Sequence, residues 1–210
     1  SLARIILNNY KLKYILIDLP EANLISAYYL KENFPDKKCF LYDDLKNKLT
    51  ENNLEDYDIF ILPPWTLFEE KIKIDFFINT HSMMEMKYKE INQYFKLIHK
   101  HITPNGFFLN LNRYKKITSG EPILFSNYPY DKNWEVRISK SSFGESHNHF
   151  FVTQRKFDKF HKNVLDELNY LRPRAKTNYN SDRWTSTKFA NTFILGGVEL
   201  LLRKYGRIFI

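Results

Sequence analysis

Polar and aromatic side chains follow the apolar runs of this sequence at the points where those runs end. Asp18 and Glu21 come after the run 14–17, and Pro64 and Trp65 come after a second run. A carboxylate at the end of a strand can accept hydrogen bonds from both hydroxyls of a ribose. An indole offers a flat face on which adenine or a sugar can stack. These four residues therefore predict a nucleotide-binding edge.

The two strongest residues of this edge also have ordinary structural interpretations. Asp18 stands two residues before Pro20, so its carboxylate can cap the helix that the proline opens. Trp65 lies beside two prolines and can equally fill a position in the core. We interpret Asp18 as the ribose ligand, and both interpretations of Trp65 stay open.

The densest group of reactive side chains lies in the segment 79–86, which combines donors, acceptors and thioethers. A histidine titrates close to neutral pH, so His81 can act as a general base on a hydroxyl, with Glu85 orienting it or binding substrate. A structural hydrogen bond of His81 and a helix-dipole role of Glu85 are the alternatives. Arg113 directly follows another apolar run and can pair with a carboxylate or phosphate of a ligand, or form a surface ion pair.

These residues need a scaffold that brings several strand ends together. Helical spacing predicts helices over 1–9, 20–34 and 91–102, and short apolar runs predict strands at 14–17, 38–42, 57–62, 75–79 and 107–111. This alternation predicts an α/β fold with a doubly wound, mostly parallel sheet. Ligands of such sheets lie beyond the carboxyl ends of the strands, where the residues above stand.

The pattern changes after Arg113. Alternating residues predict antiparallel strands at 134–138 and 149–154 that complete the sheet. Two apolar stripes then predict C-terminal helices, the first through Phe157, Phe160, Val164, Leu168 and Leu171 and the second through Ala190, Ile194, Val198, Leu201 and Tyr205.

Composition limits the class of protein. A chain of 210 residues, 43% of them hydrophobic, fits one large domain. No run approaches the roughly 18 to 20 apolar residues of a membrane span, and we expect a cytoplasmic protein without a signal peptide. Cys39 is the single cysteine, which excludes an intrachain disulfide and a thiolate zinc cluster.

The net charge of +8 suits an anionic partner. The lysines and arginines are spread along the chain, and the aromatic residues fall at core spacing and are not interleaved with the basic ones. The pattern therefore does not favour nucleic acid.

Three blocks of the sequence, 14–21, 57–65 and 75–86, together resemble the sugar O-methyltransferase family. The likeness covers residues 1–115. It implies the Rossmann-like class I methyltransferase fold, S-adenosylmethionine as methyl donor, and a hydroxyl of a sugar or sugar-nucleotide as acceptor. It also implies that Asp18 binds the cofactor ribose, that Asn79 and Thr80 lie beside the methionine part, and that His81 and Glu85 face the acceptor.

We complete this assignment with neighbouring residues at the strand ends. Glu21, Pro64 and Trp65 join the predicted cofactor site, and Ser82, Asn112 and Arg113 are predicted to bind the acceptor. No spacing of carboxylates compels a metal site, so metal dependence stays open. The predicted methyltransferase-like α/β domain spans 1–155, and a helical C-terminal extension spans 156–210.

One departure from the family concerns the glycine-rich loop between its first strand and first helix. Nothing in this sequence resembles that loop, and residues 1–4 look like the helix that follows it. We therefore expect an N-terminally truncated domain that binds the cofactor weakly.

Two other functions fit the same pattern. A nucleotide-sugar oxidoreductase that uses a dinucleotide shares the sheet and the ribose-binding acid, and a non-catalytic binding module can be built on the same scaffold. The segment 79–86 favours methyl transfer. The sequence leaves the acceptor, its regiochemistry and the formation of homo-oligomers open.

Overall fold

A computed structural model describes residues 2–42, 48–117, 120–142, 145–158, 160–176 and 208–209. The chain forms two compact units, of which the first comprises Ser1–Asp75 with Leu202–Ile210 and the second comprises Phe76–Leu201. The predicted boundary at residue 155 falls inside the second unit. Within the described residues, no helix has both the length and the apolar character needed to cross a membrane.

The first unit alternates helices and parallel strands. Its elements are α1 (Leu2–Asn9), β1 (Lys13–Ile17), α2 (Pro20–Asn33), β2 (Cys39–Leu41), β3 (Lys48–Leu49), α3 (Glu51–Asp56), β4 (Ile59–Leu62) and β5 (Leu67–Phe68). β4 lies between β1 and β2 and pairs with both in parallel. A C-terminal strand, Ile208–Phe209, pairs in parallel with the start of β1, and β3 pairs in parallel with β5. The predicted α/β architecture with parallel strands is confirmed.

Local sequence explains where these elements begin. Pro20 occupies the first turn of α2, where its missing N–H costs nothing. Thr50 caps α3 in a reciprocal pair of hydrogen bonds with Asn53. All residues of β4 are buried, as expected of a central parallel strand.

The stripe that predicted α2 runs through Leu24, Ala27 and Tyr28, and only part of it is buried. Ala27 is buried as predicted, whereas Leu24 and Tyr28 are 75% and 72% exposed. The helical period is correct, but the buried stripe is Asn23, Ala27 and Leu30, so that a polar residue takes an inner position.

The second unit contains most of β6 (Ile74–Thr80), then α4 (Tyr88–His101), β7 (Ile102–Arg113), β8 (Lys115–Ile117), β9 (Pro122–Leu124), β10 (Trp134–Ser142), β11 (Glu145–Arg155) and α5 (Val164–Leu171). Short 3-10 helices span Met83–Glu85, Phe125–Asn127 and Arg172–Lys176. β11 pairs antiparallel with both β7 and β10, and β6 neighbours β7. The two predicted antiparallel strands are confirmed and are longer than predicted.

An aromatic core joins α4 to this antiparallel sheet. The Phe95 ring lies 5.7 Å from that of Phe108 and 4.8 Å from that of Tyr130, in edge-on contacts that aromatic rings favour. Trp134 is fully buried, and its indole N–H donates a hydrogen bond to His99 Nε2 at 3.1 Å.

Two predicted boundaries of the second unit are corrected. Residues 103–106 separate the predicted helix 91–102 from the predicted strand 107–111, and their sequence Thr-Pro-Asn-Gly is typical of a turn. In the structure they belong to β7, which begins immediately after α4, and Asn105 within it has φ of 67°. The stripe through Phe157 and Phe160 does not belong to a helix, because α5 begins at Val164. Phe157 is exposed, and the Arg155 guanidinium lies 5.2 Å from its ring. The last predicted helix, with Ala190 to Tyr205, lies outside the described residues.

Candidate functional site

The carboxyl ends of β1, β4 and β2 lie at one edge of the first unit. The Asp18 N–H at this edge donates a hydrogen bond to the carbonyl oxygen of Leu62, the last residue of β4, at 3.3 Å. The Asp18 carboxylate is exposed, and its Oδ1 accepts from the Leu19 N–H at 2.8 Å. Leu19 is the N-cap residue of α2, so the carboxylate binds an amide that lies just before the free N–H groups of the first helical turn. The carboxylate keeps lone pairs for a ligand.

A buried asparagine, which sequence reasoning missed, fixes the connection from β1 to α2. Asn23 is 8% exposed, and its Nδ2 donates a hydrogen bond to the backbone carbonyl of Asp18 at 2.8 Å. Its Oδ1 is buried and has no hydrogen-bond partner among the described residues. A buried amide oxygen without a partner is uncommon and marks a place where water or a ligand can donate. No signal in the sequence pointed to this residue, because the helical stripe through Leu24 and Tyr28 left Asn23 outside the predicted buried face.

Trp65 belongs to the same edge and is not a core residue. It is 57% exposed, and its Nε1 donates a hydrogen bond to the Tyr42 hydroxyl at 3.2 Å. The two rings are nearly perpendicular, with centroids 6.3 Å apart. Pro64 is exposed. Glu21 is also exposed and lies in the first turn of α2, where a carboxylate stabilises the helix by interacting with its dipole.

The exposed groups of this edge are of the types that bind a nucleoside. A free carboxylate such as that of Asp18 can accept hydrogen bonds from a ribose diol, and an accessible indole such as that of Trp65 can stack on a base. The adenosine of a dinucleotide would find the same groups.

The second group of predicted residues follows β6 in the second unit. His81 adopts a left-handed backbone conformation, with φ of 63°. Its N–H donates a hydrogen bond to the carbonyl oxygen of Leu111 in β7 at 2.8 Å, which holds the turn against the sheet. A residue with a Cβ pays about 1 kcal/mol or more for this conformation, and such strain occurs preferentially at functional sites. Thr80 is half-buried at the end of β6.

Three asparagines form a hydrogen-bonded cluster beneath this turn. Asn112 is fully buried, and its Nδ2 donates to Asn79 Oδ1 at 2.8 Å and also to Asn110 Oδ1. Its own Oδ1 accepts from the N–H of Met84 at 3.2 Å. Asn79 in turn donates to the hydroxyl of Ser82. Asn112 thus holds the segment 79–86 in place, and its predicted contact with an acceptor stays a prediction.

The His81 ring contacts an asparagine of β11. The Asn148 side chain in β11 is buried, and its Nδ2 lies 3.0 Å from His81 Nε2. An amide nitrogen can only donate, so Nε2 accepts and the neutral imidazole carries its hydrogen on Nδ1. Asn148 therefore sets the tautomer of His81.

Glu85 forms an ion pair with the neighbouring hairpin of β8 and β9. Its Oε1 lies 3.4 Å from Lys116 Nζ in β8. The Tyr88 hydroxyl also binds this hairpin, since it accepts a hydrogen bond from the Leu124 N–H at 2.8 Å. The predicted role of Glu85 in orienting His81 stays a prediction.

Arg113, the last residue of β7, lies on the same strand as the asparagine cluster. It is half-buried and stands opposite Asn148 in the antiparallel pair of β7 and β11. No side chain of the described residues forms a hydrogen bond or an ion pair with its guanidinium.

A separate polar network lies on the other side of β11. His149 Nδ1 lies 3.0 Å from the Tyr114 hydroxyl, and His149 Nε2 lies 3.1 Å from the Ser139 hydroxyl. Ser139 donates to Glu167 of α5, whose other oxygen lies 2.5 Å from Lys162 Nζ. Burial lowers the pKa of His149 to about 4, although the nearby Glu167 acts in the opposite direction. This network fixes α5 to the sheet, and sequence reasoning missed it.

The described residues contain no group of three or more His, Cys, Asp or Glu side chains placed to hold a metal ion. No protein-family model matches the chain, and no curated protein is detectably similar to it. A solved structure described as a putative type 11 methyltransferase from Sulfolobus solfataricus is similar with a TM-score of 0.32 and 18% sequence identity. The likeness covers 71% of this chain and 88% of that chain. The interpretation of the site therefore rests on its own residues.

Proposed function

We propose that the protein is a class I, Rossmann-like O-methyltransferase that uses S-adenosylmethionine and acts on a hydroxyl of a sugar or sugar-nucleotide. The observation that carries this proposal is the exposed Asp18 carboxylate at the carboxyl end of a parallel strand, within the first of three sequence blocks that resemble the sugar O-methyltransferases. The strained turn at His81 lies in the third block.

The residues of the first unit bind and orient the nucleoside. Asp18 accepts hydrogen bonds from the two ribose hydroxyls, and Trp65 stacks on the adenine. Asn23 holds the backbone carbonyl of Asp18 and thereby fixes the carboxylate at the strand end. Glu21 and Pro64 complete the rim of this site.

The residues of the second unit act on the acceptor. S-Adenosylmethionine, when bound, supplies a methyl group that is already activated for in-line displacement. By the resemblance, Asn79 and Thr80 bind the methionine part, and the neighbouring Ser82 binds the acceptor. Asn112 holds the turn that carries them.

His81 receives the proton of the acceptor hydroxyl at Nε2. The hydroxyl must replace the Asn148 amide there, because that amide occupies Nε2 in the free protein. Glu85 orients the imidazole or binds the acceptor directly. A positioned base of this kind contributes about two to four powers of ten in rate.

The cofactor is tested by titrating the protein with S-adenosylmethionine and, separately, with NAD at up to millimolar ligand, followed by NMR or calorimetry. We expect weak, saturable binding of S-adenosylmethionine that Asp18→Asn abolishes. Asp36→Asn removes a carboxylate from another exposed position of the same unit and is the matched control. Binding of NAD alone would replace this proposal with the oxidoreductase, and binding of neither would leave a binding module.

The acceptor site is tested through His81. His81→Gln should lower the rate of transfer of a radiolabelled methyl group by roughly 100-fold or more. It should leave the affinity for S-adenosylmethionine nearly unchanged, because the nucleoside ligands lie elsewhere. A variant that loses cofactor affinity and keeps its turnover would contradict the assignment.

A further inference from the structure

We infer that Arg113 binds an anionic group, a phosphate or a carboxylate, of the methyl acceptor. This is the same acceptor whose hydroxyl gives its proton to His81. This inference rests on the proposed function, because it names the chemical class of the acceptor at the same site. The inference predicts that the substrate is an acidic saccharide and not a neutral sugar.

The register of β7 and β11 brings Arg113 to the His81 side of the sheet. Arg113 and Asn148 are directly opposite each other in this antiparallel pair. Opposite residues leave the sheet on the same face, with Cβ atoms about 5 Å apart. Since the Asn148 amide reaches His81 Nε2 at 3.0 Å, Arg113 leaves the sheet on the face on which Asn148 meets the imidazole.

The guanidinium has the properties of a ligand-binding group. Arg113 is half-buried, and no described side chain pairs with it. Two other arginines of the described strands are already paired, since Arg137 binds Glu135 at 3.1 Å and Arg155 binds Asp131 at 2.5 Å. A planar guanidinium with five donors matches the two oxygens of a carboxylate or phosphate.

The charges around this position also favour an anion. Lys140 stands opposite Phe150 in the pair of β10 and β11, and Phe150 is two residues from Asn148, so Lys140 belongs to the same face. Its ammonium lies 5.9 Å from the centre of the Phe150 ring. Glu85 is already paired with Lys116 at 3.4 Å, which reduces its repulsion of an anionic ligand.

The experiment compares glucose 6-phosphate, glucuronate, glucose and inorganic phosphate as probes, in NMR titrations of the protein at fixed salt. Arg113→Gln is the test variant, and Lys115→Gln is the matched control. Lys115 carries the same charge two residues away and is exposed. Arg113→Lys keeps the charge and loses the planar pair of donors. The dispersion of the amide spectrum shows that each variant is folded.

We expect one of the two acidic sugars to bind more tightly than glucose and to shift the Arg113 Nε–H signal. The acidic sugar that binds more tightly shows whether the anionic group is a phosphate or a carboxylate. Arg113→Gln should weaken its binding by roughly 10- to 100-fold, Arg113→Lys should restore part of the loss, and Lys115→Gln should have little effect. Inorganic phosphate should compete with a sugar phosphate.

Equal affinities for glucose and both acidic sugars would overturn the inference, as would equal effects of the Arg113 and Lys115 variants. Titration of S-adenosylmethionine into the same protein separates this failure from failure of the proposed function. If the protein binds S-adenosylmethionine but does not prefer acidic sugars, only the inference about Arg113 is wrong. Arg113-dependent binding of an acidic sugar without cofactor binding keeps the anion site and removes methyl transfer.

Discussion

Two neighbouring residues of β11, Asn148 and His149, belong to two different clusters of side chains. Asn148 contacts the His81 ring, whereas His149 contacts Tyr114 on the other side of β11. Successive side chains of a strand point to opposite faces, so two adjacent polar residues can be buried in unrelated networks. The candidate site and the attachment of α5 therefore depend on one short stretch of β11.

The buried His149 predicts a loss of stability in mild acid. Its pKa is lowered to about 4 by burial, whereas that of an unfolded histidine is about 6.5. Below pH 6.5 the unfolded chain takes up a proton that the folded protein does not. The stabilisation is thus complete above about pH 6.5 and is lost as the pH falls towards 4, by about 3 kcal/mol in total. Urea unfolding measured between pH 7 and 4 tests this.

His149→Gln is the control for this prediction, because glutamine does not titrate. The variant should be less stable at neutral pH but should lose less stability between pH 6.5 and 4. Carboxylates account for the decline below that range. Burial raises the pKa of Asp131, but the hydrogen bond and charge of Arg155 bring it below its ordinary value. An unchanged pH dependence in His149→Gln would show that another group is responsible.

The asparagine cluster predicts a second effect at the scale of the residue. Asn112→Ala removes the acceptor of the Met84 N–H and one of the donors to Asn79 Oδ1, at a cost of about 2 kcal/mol. The free energy of unfolding measures this loss. Asn52→Ala, at an exposed position of α3, should change it by less than about 0.5 kcal/mol. Equal effects would mean that the cluster does not stabilise the turn.

At the scale of elements, parallel strand ends and one hairpin arrange the candidate residues. β1 and β4 end in register at Ile17 and Leu62, and this places Asp18 beside the turn that carries Trp65. The hairpin of β8 and β9 is held by the Glu85–Lys116 ion pair. Since both partners are partly exposed, that pair contributes little stability by itself.

The Tyr88 hydroxyl is the stronger attachment of this hairpin. Tyr88→Phe removes the acceptor of the Leu124 N–H and should cost about 1 kcal/mol. The Leu124 amide should then exchange its hydrogen faster, as measured by NMR, while amides in the middle of β7 keep their protection. Tyr170→Phe changes an exposed tyrosine of α5 and should leave Leu124 unchanged. Slow exchange of Leu124 in Tyr88→Phe would assign the attachment to other contacts.

At the scale of the whole molecule, the net charge of +8 attracts polyanions without selecting among them. A fluorescent single-stranded oligonucleotide should bind weakly, and its affinity should fall steeply with added NaCl because binding releases counterions. Arg113→Gln and Lys115→Gln should weaken this binding to the same small extent, since each removes one charge. Saturable binding that persists at high salt would instead indicate a nucleic-acid site.

The sequence by itself determined most of the elements and the strand ends. The alternation of apolar runs with helical stripes predicted α1, β1, α2 and β4 within two residues of their bounds, and it put Asp18 at the end of a strand. These features depend on residues close together in the chain, whose periodicity is readable without knowing their partners. The same periodicity could not decide which face of α2 is buried, because Asn23 takes the place expected of a leucine.

Only the tertiary structure decided how the candidate residues are used. Asn112, predicted to contact an acceptor, is buried and holds the turn at His81, while Asn148 and Arg113 meet across β7 and β11. These contacts join residues that are far apart in sequence, and they depend on the register of strand pairing. A shift of one residue would turn each side chain to the other face. No local pattern contains that register, so the partners of His81 became evident only from the folded chain.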